Sequence, residues 1–176
     1  MIDAHTHLYA PEVGADPAGW GMARKESWWL QCVAPEGKLS LQGWVTVDQM
    51  LRDMDAAGIE RSVLLGWYWE RLATCVEQNN WYADWITRHP DRLSAFAAVQ
   101  PAAGEAALTE ARRRLDQGFC GIGELKAPVQ GFAYADSGAE AIWELAAVRG
   151  VPITLHVTDP VVYPKGAPVM HTPLEE

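Results

Sequence analysis

The chain has 176 residues, 49% of them hydrophobic, and carries 14 lysines and arginines against 23 aspartates and glutamates, a formal net charge of −9. That is one domain's worth of sequence with apolar content for a sizeable core, and its acidity argues against a nucleic-acid or anionic-membrane binder, which needs a basic face. No leader-like segment opens it, no apolar run approaches the ~20 residues of a membrane span, and Cys32, Cys75 and Cys120 form no CxxC pair, so a cytoplasmic protein with reduced thiols is expected.

The first predicted element is a strand, Ile2-Asp3-Ala4-His5-Thr6-His7. Side chains alternate along a strand, which puts His5 and His7 on one face roughly 6.5–7 Å apart. Two imidazoles so placed can chelate one ion; the plain alternative is polar surface at a chain end. Ile2, Ala4 and Thr6 point the other way, to a side expected to be covered. Asp3 is expected to orient a backbone or a histidine rather than to bind metal. Residues 9–43 show no sustained period and contain Pro11, Pro17 and Pro35. A loop of that length is either functional or disordered. Trp20, Trp28, Trp29 and Trp44 argue against disorder, so an ordered cap loop is expected.

Thr46 and Gln49 form a capping box, followed by an apolar stripe of Val47, Met50, Leu51 and Met54 and closed by Gly58. Residues 62–67 read as a buried strand, 70–88 as a helix stopped at His89-Pro90, and 93–100 as another buried strand. Residues 105–117 read as a helix and 119–126 as a strand. Ser137 and Glu140 form a second capping box, opening a helix to Arg149, and 151–157 read as a fifth strand. Strand starts near 61, 93, 119 and 151 alternate strictly with helices, which predicts an α/β fold with a parallel sheet. Barrel and doubly wound closures both satisfy that spacing. Thr172-Pro173-Leu174-Glu175 announces a further helix where the sequence ends, so the chain is expected to be the front part of a longer fold, truncated after about five strands if that fold is a TIM-type barrel.

Chemistry in such folds sits at the carboxyl ends of the strands. The first strand brings His5 and His7 there, the fourth Glu124 and then Lys126, the fifth His156, with Thr158 and Asp159 beyond it. Burying these groups costs several kcal/mol without partners, as an order of magnitude. A divalent metal held by His5, His7, Glu124 and His156 would satisfy them, with zinc the first choice and manganese the second. Each has a plainer reading: an ion pair for Glu124, a surface position for Lys126, a satisfied core histidine for His156. His89 is expected to be structural and His171 incidental. The tryptophans of the 9–43 loop, with Trp67 and Trp69 after the second strand, are on the side where they would wall a pocket for a planar or apolar substrate, with Lys126 as a substrate contact.

Taken together, His5-x-His7, Gly121-Ile122-Gly123-Glu124-Leu125 and Leu155-His156-Val157 resemble the amidohydrolase superfamily of metal-dependent (β/α)8 barrels, and within it the amidohydrolase-related (amidohydrolase 2) branch, which holds hydrolases and decarboxylases. Gly123-Glu124-Leu125 is also similar to the fourth strand of TatD-like deoxyribonucleases, a reading the acidic charge disfavours. The resemblance implies that His5, His7 and His156 are metal ligands and that Glu124 is a ligand or bridging catalytic residue. It also implies a strand-six histidine and a strand-eight aspartate that this sequence does not contain. The expected function is metal-dependent hydrolysis of a C–N or C–O bond in a small molecule. The alternatives are decarboxylation of an aromatic or unsaturated carboxylate, and a non-catalytic fragment or binding module. No nucleic-acid or membrane partner is expected; a homo-oligomer is admitted.

Overall fold

The computed structural model describes residues 1–33, 35, 37, 40 and 42–157. Thr158, Asp159, His171 and the 172–175 capping signal lie outside them. Five strands, β1 (Ile2–Thr6), β2 (Arg61–Leu64), β3 (Leu93–Ala97), β4 (Gly121–Leu125) and β5 (Ile153–Leu155), lie side by side in chain order. Every pairing is parallel, and the sheet curls into a half-barrel. Helices α4 (Val47–Ala57), α5 (Leu72–Arg88), α6 (Glu105–Asp116) and α8 (Ser137–Arg149) connect successive strands. A short α7 (Ala127–Gln130) follows β4 directly. No helix among the described residues is long and apolar enough to cross a membrane.

Local chemistry explains most boundaries. The Thr46 hydroxyl accepts the Gln49 backbone N–H at 3.2 Å, and Gly58 closes α4 in a left-handed conformation at φ +67°, where a side chain is disfavoured. The reciprocal half of that capping box is absent, because the Gln49 side chain donates to Asp53 instead. The expected Ser137 box does not form. Asp136 is the N-cap, and its carboxylate accepts the Ala133 N–H at 2.7 Å rather than capping the helix.

The expected cap loop is largely helical. Helices α1 (Pro11–Ala15), α2 (Pro17–Arg24) and α3 (Ser27–Val33) occupy most of its first half. Prolines 11 and 17 open helices rather than break them, because a first-turn residue has no intrahelical N–H bond to lose. These helices supply the aromatic core. Trp29 and Trp69 are fully buried, with Trp20 packed edge-on against Trp29 at 5.3 Å and tilted against Trp69 at 5.5 Å. The Trp29 indole donates to the Tyr9 hydroxyl at 3.1 Å. Two carboxylates fasten α3 to α5 reciprocally: Glu26 accepts the N–H groups of Glu70 and Arg71, and Glu70 accepts the N–H of Trp28.

Behind the sheet, Asn79 bonds both backbone groups of Ala98 and donates to Glu110, whose carboxylate also holds the buried Arg114 guanidinium at 2.6 Å. This network fixes α5 and α6 against β3. The two outer strands differ from the centre. Every residue of β4 is buried, whereas Ile2 on β1 is 61% exposed and Leu155 on β5 is 41% exposed. The expectation that the Ile2 side of β1 is covered therefore does not hold among the described residues.

Candidate metal centre

The first strand carries an irregularity in register between Asp3, opposite Ser62, and Thr6, opposite Leu64. Asp3 holds it: one carboxylate oxygen accepts the Thr6 hydroxyl at 2.7 Å and the other the His5 backbone N–H at 3.2 Å. The bent strand end brings the His5 and His7 rings edge to face, with their Nε2 atoms 3.2 Å apart. His7 Nδ1 lies 3.0 Å from the Leu65 carbonyl oxygen. A carbonyl only accepts, so Nδ1 carries the proton and Nε2 keeps its lone pair towards the site.

Glu124 comes from the carboxyl end of β4, facing the same point. Gly123 has φ +120°, and a Cβ there would sit 2.5 Å from the Thr154 carbonyl oxygen, so only glycine allows β4 to approach β5 this closely. The Glu124 N–H donates to the Gly66 carbonyl at 2.8 Å, and the His156 N–H to Leu125 at 2.7 Å. The Glu124 side chain is buried. Its Oε1 is 2.6 Å from His156 Nδ1, and its Oε2 is 3.6 Å from His7 Nε2 and 3.9 Å from His5 Nε2.

Burial alone would raise the Glu124 pKa, but the His156 hydrogen bond and the three nearby imidazoles outweigh it and hold the carboxyl below its ordinary value. Burial lowers the His7 pKa despite Glu124 and the Leu65 carbonyl, so His7 favours its neutral form. A neutral imidazole and an ionised carboxylate are the protonation states a cation requires.

His5, His7 and Glu124 each present a ligand atom, all within 4.8 Å of one another. Two imidazole nitrogens and a carboxylate oxygen suit zinc or manganese. His156 stands beside this group and is joined to it through Glu124. Of the other expected residues, Trp67 packs edge-on against His7 at 5.4 Å. Trp69 does not reach the site: it is fully buried, and its indole donates to Gln78 at 2.7 Å. Following the carboxyl end of a strand does not settle which way a residue points: β2 ends at Leu64, and the segment after it turns Trp69 into the core. Lys126 is not a surface residue. It is 2% exposed, and its ammonium lies 5.0 Å from the Trp28 ring centre and 5.2 Å from that of Tyr68.

Sequence reasoning missed Tyr68, and placed Trp28 only as one of the loop tryptophans expected to wall a pocket. Tyr68 stacks on Trp67 at 4.4 Å and lies 4.8 Å from the His156 ring, bridging the histidines and Lys126. Its position just past β2 was the available signal, the same one that singled out Trp67. Trp28 arrives on α3, an element whose seven residues are too few to show a helical period.

Solved structures share this fold. An amidohydrolase II matches with a TM-score of 0.68 at 19% identity, covering 96% of this chain and 54% of its own. A manganese-bound 5-carboxyvanillate decarboxylase from Novosphingobium aromaticivorans matches at 0.66 and 19%, covering 89% and 50%. A 2,6-dihydroxybenzoate decarboxylase from Rhizobium matches at 0.61 and 22%, covering 98% and 55%. The chain thus spans about half the length of the solved structures it matches. No curated protein matches it. The amidohydrolase family model matches residues 2–174, nearly the whole sequence, and the chain belongs to the amidohydrolase family.

Proposed function

We propose that the chain carries the metal-binding half of a hydrolase site, acting on a C–N or C–O bond of a small molecule. The convergence of His5, His7 and Glu124 is the observation that carries this reading. His5 Nε2, His7 Nε2 and one Glu124 oxygen would hold a divalent cation, zinc or manganese, with His156 as a further ligand or as the group that orients Glu124. A cation so held lowers the pKa of bound water towards ~7 and polarises a carbonyl. The protein's part is preorganisation. The Leu65 carbonyl fixes the His7 tautomer, Asp3 fixes the bend that presents His5, and His156 holds Glu124 ionised. Glu124, held ionised between three imidazoles, is the group placed to orient an attacking water and accept its proton. Trp67 and Tyr68 form an aromatic wall beside the histidines, suited to a flat substrate.

A second reading is decarboxylation of an aromatic or unsaturated carboxylate. It is favoured by two of the matched structures, which are decarboxylases of benzoate-type acids. The test is turnover by the purified chain with added zinc or manganese, on ester, lactone and amide substrates and, separately, on hydroxybenzoates. Hydrolysis that disappears in Glu124→Gln supports the first reading and CO2 release the second. A chain that binds metal and turns over nothing is a non-catalytic fragment or binding module.

A further inference from the structure

Helix α8 is apolar on more than the side it buries. Ala139, Ile142, Leu145 and Ala146 are buried, while Ala141, Ala147 and Val148 lie outside that stripe. Val148 is 83% exposed, the most of any large apolar side chain among the described residues. A surface helix keeps its apolar residues to one stripe, and a helix that is apolar all round is a covered one.

Beside Val148 runs a groove of about 350 Å³ between α6 and α8. The buried Leu108 and Leu145 and the half-buried Ala141 form its floor; the exposed Arg112, Glu144 and Arg149 form its rim. Ala141, Glu144, Leu145, Val148 and Arg149 are spaced three and four apart, so they share one face of α8. A lone exposed valine needs no explanation. A projecting valine next to an apolar groove on the same face is different, because one surface then carries both halves of a contact.

We propose that this α6–α8 face is the surface through which two copies of the chain associate about a two-fold axis. Such an axis brings the same patch of both copies together. With the two α8 helices antiparallel and the axis midway between Leu145 and Val148, Val148 of each copy faces Leu145 of the other and enters its groove. The same operation sets Glu144 opposite the partner's Arg149, and does so twice. The charges fit that pairing. Glu144 makes no ion pair among the described residues. Arg149 holds Asp116 at 2.6 Å through one nitrogen, and a guanidinium has five N–H donors, so a second carboxylate can be received. Any other occupant would have to present an apolar knob flanked by a basic residue at the same spacing, which this patch itself presents. The contact lies on the helical outside of the sheet, so it is independent of the proposed function.

The test is sedimentation velocity of the full chain at rising concentration, for wild type, Val148→Gln, Glu144→Arg, Arg149→Glu, and an equimolar mixture of the last two. A wild-type dimer that grows with concentration is expected. Val148→Gln should weaken it by at least about tenfold. Each charge reversal alone should weaken it severalfold, since each sets like charges opposite one another at both contacts. The mixture should recover the dimer, because each reversed side chain then meets its opposite charge. A wild type that stays monomeric at every concentration overturns the proposal and leaves the groove to another segment or another protein. A dimer untouched by Val148→Gln, or a mixture no tighter than its two components, overturns it as well. The three substituted side chains are exposed, so the fold is expected to persist, which circular dichroism checks, and the wild-type arm needs no variant.

Discussion

Glu124 and His156 are joined carboxylate to imidazole at 2.6 Å, across the β4–β5 boundary, and this bond turns the other Glu124 oxygen towards His5 and His7. One side chain thereby ties three strands to one point. Glu124→Gln keeps the shape and removes the charge. The expected outcome is a fall of at least about tenfold in affinity for zinc or manganese, measured by calorimetry, with the fold retained by circular dichroism.

Asp3 acts one step back from the candidate ligands. Asp3→Ala removes the acceptors of the Thr6 hydroxyl and of the His5 N–H. The expected cost is about 1 kcal/mol of stability by chemical denaturation, with a drop in metal affinity larger than that cost alone implies, because His5 loses its fixed backbone. Unchanged metal affinity would mean that the bend is held by the sheet itself.

Glu26 supplies a pH signature outside the candidate metal centre. It is 1% exposed, and burial, opposed by its hydrogen bonds to Thr74 and to the Glu70 and Arg71 N–H groups, pushes its carboxyl up to about 7. A folded-state pKa raised from 4.5 favours the protonated form in the fold. The stabilisation is complete below pH ~4.5 and is lost as pH rises through about 7. Wild-type stability relative to Glu26→Gln should therefore decline across that window, by an amount on the order of 3 kcal/mol. A flat difference from pH 4 to pH 8 in denaturant titrations would contradict it.

Glu110 tests the scaffold separately. Its carboxylate holds Arg114 and Asn79 in the core. Glu110→Ala leaves the buried guanidinium unpaired and should destabilise the chain by about 3–5 kcal/mol, read from the denaturation midpoint.

The strands and the residues that converge at the candidate site were legible because their signals are local and periodic. Alternation on β1 pairs His5 with His7, and the rule that chemistry sits at strand ends picks out Glu124 and His156. Three features were not legible in that way. Helices α1 to α3 are five to eight residues long, shorter than a periodic pattern needs, and Pro11 and Pro17 read as loop residues. The Asp16-Pro17 pair was the overlooked signal, since the Asp16 carboxylate accepts the Gly19 N–H and caps α2. Trp69 was placed only by its position after β2, which does not say that its side chain turns into the core. The burial of Lys126 depends on Trp28 and Tyr68 arriving from distant elements, and spacing within one segment carries no trace of it.

The most direct measurement is the metal content of the purified chain after equilibration with zinc or manganese and removal of free ion, in wild type, His5→Ala, His7→Ala and Glu124→Ala. The expected result is at least one ion per wild-type chain and a clear loss in each variant. A wild type holding less than a stoichiometric ion, with a content unchanged by His5→Ala, would contradict the metal centre.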